Sequence, residues 1–164
     1  MLTLDDFIKS SYFSFEVKVD IWKKETDLFV DIPNNNEKNI QNYLNLIQDE
    51  INWIENNKYE IKQILLEEDI LELAENTSSS AHLLECADEE CYLMDDGSKV
   101  YFPITKDDFL DSLYIESVSI YFDESNSSTL ELTLLCSPDY FRGKSLQIVI
   151  DKNKNIKFNG LEDD

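Results

Sequence analysis

The chain has 164 residues, a formal net charge of −21 and 42% hydrophobic residues, enough apolar material for one folded core. The chain has 35 acidic residues and only 14 basic ones. This excess argues against nucleic acid and anionic membranes as partners, because both are themselves negatively charged. A basic protein is the partner that such a field attracts.

Several features of the composition predict one cytoplasmic domain spanning 1–164. The apolar runs are too short to cross a bilayer, and the acidic N-terminus lacks the basic start and apolar stretch of a signal peptide. Three cysteines, an odd number, fit reduced thiols better than a disulfide framework.

Alternating apolar residues predict an N-terminal hairpin. The alternation runs from Phe13 to Ile21 and resumes at Leu28 after a predicted turn over 23–27. Pro33 then ends the second strand.

A helical pattern follows. Apolar residues three and four positions apart predict helices over 37–55 and 58–75, with one long helix as the alternative. Asn57 with Glu60 three residues later predicts an N-cap and its reciprocal acid between the two helices.

The next segment is strongly acidic. No Lys or Arg stands between Lys62 and Lys99, while eleven acidic residues do. Such a block repels itself, which indicates a role outside the fold. Loop-forming residues such as Asp96-Gly97 predict that 77–100 is an irregular, acidic loop insertion.

Regular structure returns after the acidic segment. Thr105 and Asp108 predict the capped start of a short helix over 106–113. Four alternating segments then predict four strands. The order ββ-αα-loop-α-ββββ predicts an α+β fold, a largely antiparallel sheet of about six strands with the helices packed on one face.

Candidate chemical sites are weak. His82, Cys86 and Cys91 do not have a standard zinc spacing, and the acids around the two thiols oppose thiolate formation, so incidental thiols are the preferred interpretation. A calcium loop starting at Asp123 fails because Leu134 occupies its twelfth position. We therefore predict no catalytic residue, no metal and no cofactor.

The acidic residues are the predicted partner-binding site. The electrostatic contacts are assigned to Glu67, Glu68, Asp69, Glu85, Asp88, Glu89, Glu90, Asp95, Asp96, Asp107 and Asp108. Trp22, Tyr92 and Tyr121 are the predicted apolar anchors, with Trp22 and Tyr121 on the solvent side of their strands. The positive cluster Arg142-Gly143-Lys144 is interpreted as a turn into the next strand, with an internal clasp on the acidic loop as the alternative.

Two stretches carry a family resemblance. One is 51–61, where a helix breaks at Asn57-Lys58 and restarts, and the other is 140–156, which runs from Tyr140-Phe141-Arg142-Gly143 into the last hairpin. With the opening hairpin, they resemble small acidic bacterial domain-of-unknown-function proteins, some of which are taken to be immunity proteins of polymorphic or contact-dependent toxin systems. The resemblance covers the chain except about 77–100, and its motifs are packing and turn motifs.

Together the acidity and the resemblance favour an immunity protein that neutralises a cognate basic toxin by occlusion. The alternatives are a carboxylate- or metal-dependent enzyme and a housekeeping protein-binding adaptor.

Overall fold

The computed structural model describes residues 1–9, 15–33, 40–86 and 88–163, and within them it shows a six-stranded sheet, a three-stranded sheet and four α-helices. The large sheet has strands β1 Phe15–Ile21, β2 Lys24–Asp31, β6 Leu113–Phe122, β7 Ser128–Cys136, β8 Lys144–Ile150 and β9 Ile156–Asp163. Their spatial order is β1-β2-β6-β7-β8-β9, with β2 and β6 parallel and every other pair antiparallel. The predicted α+β class and six-stranded sheet are confirmed.

The core lies between the helices and one face of this sheet. The strands bury alternate residues, as in Leu130, Leu132 and Leu134 of β7, which are fully buried. The helices are α1 Leu44–Asn56, α2 Lys58–Glu67, α3 Ile70–Ser78 and α4 Lys106–Ser112. Ile47, Ile51 and Ile54 of α1 join the same buried cluster, because a helical spacing of three or four keeps them on one side, and Ile61 of α2 joins it as well.

The helix boundaries predicted from the sequence agree in part with those of the structure. The break at Asn57 is confirmed, so the single long helix is wrong. The second helix breaks again at Asp69, which has φ +54°. The Asn57 side chain does not cap α2. It donates to the Trp53 carbonyl at 2.8 Å, whereas Thr105 accepts the Asp108 N–H at 3.1 Å as predicted. The predicted start of the first strand at Phe13 and the predicted start of the first helix at 37–39 lie outside the described residues. The asparagines at 34–36 between them also lie outside.

The prediction of irregular structure over 77–100 is wrong. This segment contains the C-terminus of α3 and then β3 His82–Glu85, β4 Glu90–Leu93 and β5 Lys99–Tyr101, which form the small antiparallel sheet. Tyr92 and Val100 are paired across it and are buried against the main core. Among the described residues, no helix is long and apolar enough to cross a membrane.

Candidate interaction surfaces

All eleven predicted electrostatic residues lie exposed on the surface. Asp95 is the only one of them within ion-pair distance of a described basic side chain. The other ten carboxylates therefore face solvent with no described cation beside them to neutralise their charge.

The fold groups most of these acids around the small sheet. Four lie at the hairpin that joins β3 to β4, namely Glu85, Asp88, Glu89 and Glu90. Two lie at the turn between β4 and β5, and two more in the first turn of α4, namely Asp95, Asp96, Asp107 and Asp108. We call β3, β4, β5 and these eight acids the acidic sheet.

The remaining three acids lie elsewhere. Glu67, Glu68 and Asp69 occupy the junction between α2 and α3. Helix α3, about 13 Å long at 1.5 Å per residue, lies between them and the small sheet along the chain. We therefore do not count them among the acids of the acidic sheet.

Arg142 is the one cation that contacts the acidic sheet among the described ion pairs. Its Nε lies 3.0 Å from an Asp95 carboxylate oxygen, and its Nη1 donates to the Ser80 carbonyl at 3.2 Å. The clasp interpretation is confirmed for Arg142, while Lys144 lies 3.7 Å from Asp163 instead. Nearby, burial and then the negative charge of Asp96 raise the pKa of Asp139.

Two predicted anchors, Trp22 and Tyr92, are buried, and the predicted solvent-side position of Trp22 is wrong. Trp22 is 6% exposed, because the turn between β1 and β2 directs its indole inward, where Nε1 donates to the Ile54 carbonyl at 3.2 Å. Tyr92 is 7% exposed, and its hydroxyl donates to Glu90. Tyr121 is half-buried on β6.

The structure exposes two apolar side chains on the acidic sheet that the sequence reasoning did not assign as anchors. Leu83 on β3 is 60% exposed and Tyr101 on β5 is 49% exposed. They point to opposite sides of the sheet, because Leu83 pairs with Tyr92 whereas Tyr101 pairs with Cys91. Alternation of apolar and polar residues would have predicted these strands, but 82–85 and 99–101 are too short for alternation to be recognised.

The thiols and the histidine form no metal centre. The Cys86 thiol lies against that of Cys91, and this contact, followed by burial, raises the pKa of Cys86. Within 1–9, 15–33, 40–86 and 88–163, no group of three His, Cys, Asp or Glu side chains could hold a metal ion.

A second charged region has the opposite sign. Trp22, Lys24, Lys58, Lys62 and Asp111 line a cleft of about 300 Å³, together with Ser112, Leu113, Tyr114 and Ser137. The Lys58 and Lys62 ammonium groups lie 5.6 and 5.3 Å from the Trp22 ring centre, within cation–π range. We call this the lysine cleft.

Lys62 is the buried lysine of the lysine cleft. It is 7% exposed, and its Nζ donates to the Leu110 carbonyl at 2.5 Å. Burial, and then the positive charge of Lys58, lowers the pKa of Lys62 to about 8. The sequence signal for this cleft was the four-residue spacing of Lys58 and Lys62, which places both on one side of α2.

Fold and surfaces define an α+β protein with an acidic sheet beside a small basic cleft. The chain belongs to DUF2262, a family of uncharacterized proteins conserved in bacteria, whose sequence model matches residues 2–161. No curated protein matches the chain. No solved structure matches it either.

Proposed function

We propose that this protein binds a basic partner protein through the acidic sheet, and that it acts as an immunity protein which neutralises a cognate basic toxin by covering it. The observation that carries the proposal is the exposure of the eight acids of the acidic sheet, seven of which have no described ion-pair partner. Holding like charges together destabilises a fold, so an outside cation is the natural use of the arrangement.

The proposed mechanism has two stages. The field of the acidic sheet first accelerates encounter with a basic surface, an effect that salt screens. Leu83 and Tyr101 then bury their exposed apolar area in the contact, as anchors that are surrounded by charge. Because they lie on opposite sides of the sheet, the partner reaches both only by contacting an edge of it.

Capture from the source bacterium tests the proposal with three forms of the protein. The test variant carries Asp88→Lys and Glu89→Lys in the acidic sheet. The control carries Asp49→Lys and Glu124→Lys, also one Asp and one Glu, both exposed. Its acids lie at the other end of the main sheet, since Asp49 adjoins Glu50, which bonds to Ser128 at the start of β7.

We expect the wild type and the control to retain one basic protein at moderate salt and the test variant to lose it. Growth of cells that express the captured protein, with and without this chain, then distinguishes an immunity protein from a housekeeping adaptor. Equal retention by the test variant, or only ribosomal proteins that salt removes, would refute the proposal.

A further inference from the structure

The lysine cleft concentrates positive charge in a protein that has little of it. The chain has 14 basic residues and 35 acidic ones, and three of the lysines line this one cleft. Asp111 is the only acidic residue in its lining. None of Lys24, Lys58 and Lys62 has a described carboxylate within ion-pair distance. The cleft therefore keeps a positive charge that the fold itself does not neutralise.

Trp53 provides an internal comparison. The Lys154 ammonium group lies 5.0 Å from the Trp53 ring centre, a distance similar to the 5.6 and 5.3 Å of the cleft lysines from Trp22. Lys154 is also ion-paired with Glu50, so its charge is balanced within the fold. Lysine thus lies over both tryptophan rings, and at Trp22 no described carboxylate is within ion-pair distance of the lysines.

The backbone holds Trp22 at this site under strain. Trp22 and Lys23 have φ of +53° and +65°, which side chains with a Cβ rarely adopt. The Trp22 N–H donates to a Glu55 carboxylate oxygen at 2.6 Å, and the indole is fixed by its bond to Ile54. Glu55 does not line the cleft. The turn therefore presents the indole to Lys58 and Lys62 in one rigid position.

We propose that the lysine cleft is a binding site for the phosphate or carboxylate group of a small molecule. Lys24 and Lys58 are exposed and can close on the anion from β2 and α2. Lys62 uses one of its three N–H donors on Leu110, so two remain for the ligand. The volume of about 300 Å³ suits a small ligand and is too small for a protein segment.

The two tryptophans make the test direct. The indole N–H signals of Trp22 and Trp53 are followed in ¹⁵N spectra while inorganic phosphate or acetate is added, with sodium chloride keeping the ionic strength constant. We expect the Trp22 signal to shift saturably and the Trp53 signal to stay unchanged. Saturation by phosphate alone assigns a phosphorylated ligand, and saturation by acetate alone assigns a carboxylate.

Two substitutions of equal charge make the test specific. Lys58→Met removes one exposed lysine of the cleft, and Lys144→Met removes an exposed lysine outside it. Loss of one charge-assisted contact should weaken anion binding about tenfold in Lys58→Met, while Lys144→Met keeps the wild-type affinity. Unsaturable shifts with both anions, equal shifts at both tryptophans, or equal weakening in both variants would overturn the proposal.

Discussion

The acidic sheet and the lysine cleft are neighbours with opposite charge. Lys99, Tyr101 and Asp108 of the acidic sheet line a groove, and this groove shares Asp111, Ser112 and Ser137 with the lysine cleft. Each region also has opposite charge beside it: Lys99 lies on β5 and Arg142 contacts Asp95 in the acidic sheet, and Asp111 lines the cleft. The fold thus separates its charges instead of pairing them across this boundary.

Their different construction explains how each can function. The acidic sheet has short strands and charges on exposed turns, so its field reaches into solvent and suits a large partner. The lysine cleft is fixed by a buried tryptophan and a buried lysine, so its charge is local and suits a small ligand. Substitutions should therefore affect stability at the cleft and association at the sheet.

The largest stability effect is expected for Trp22→Ala. It removes a buried indole and should lower the free energy of unfolding by about 3–5 kcal/mol. Tyr101→Ala, at a 49% exposed position of the acidic sheet, should cost less than about 1 kcal/mol. Urea unfolding measures both, and similar losses would remove the proposed difference between the regions.

Lys62→Met should change how stability depends on pH. The pKa of Lys62 is lowered to about 8 from 10.5, so the unfolded chain binds more protons between these values, and wild-type stability should rise with pH there. The rise is at most about 3 kcal/mol, and less if solvent in the cleft screens the charge. Subtracting the Lys62→Met curve from the wild-type curve isolates this contribution. A flat difference between pH 8 and 10.5 would contradict the burial of a charged lysine.

Lys23→Gly tests the strain in the turn that positions Trp22. The exposed Lys23 has φ +65°, which glycine adopts without strain, and the gain should exceed the entropy cost of glycine by about 0.5–1 kcal/mol. Lys152→Gly, in another exposed turn where no positive φ is required, should give no gain. A thermal melt of the three proteins decides the matter, and a loss of stability in Lys23→Gly would show that the turn is unstrained.

The smallest effect is expected for Arg142→Gln. The Asp95 side chain is 65% exposed and that of Arg142 is 34% exposed, so solvent screens the ion pair and it should contribute less than about 1 kcal/mol. Its loss should speed hydrogen exchange in the turn between β4 and β5, where Asp95 lies, and leave the lysine cleft protected. Faster exchange at Trp22 as well would mean that the two regions are coupled.

The sequence predicted the parts of this fold in which a pattern repeats. Alternation in β7 continues over nine residues, and the apolar spacing from Ile47 to Ile61 continues across two helices. It did not predict β3, β4 and β5, because strands of three or four residues hardly repeat their pattern.

The sequence also predicted some features of the candidate surfaces and not others. Exposure of the acids followed from their chemistry and is confirmed. The burial of Trp22 was not predicted, because it depends on positive φ values at Trp22 and Lys23. Such values are usually indicated in a sequence by glycine or asparagine, and neither occurs there. Lys58 and Lys62 could be placed together from helical spacing, but their meeting with Lys24 depends on how α2 packs beside the first hairpin, which is a tertiary contact.

The association rate of the captured basic protein, measured against salt concentration, tests the central claim most directly. For the wild type and for the Asp49→Lys, Glu124→Lys control, the rate should fall steeply as salt is added. For Asp88→Lys, Glu89→Lys it should be about tenfold lower at low salt, with a weaker dependence on salt. Identical rates and salt dependence in all three proteins would contradict the account, because the acidic sheet would then have no part in attracting its partner.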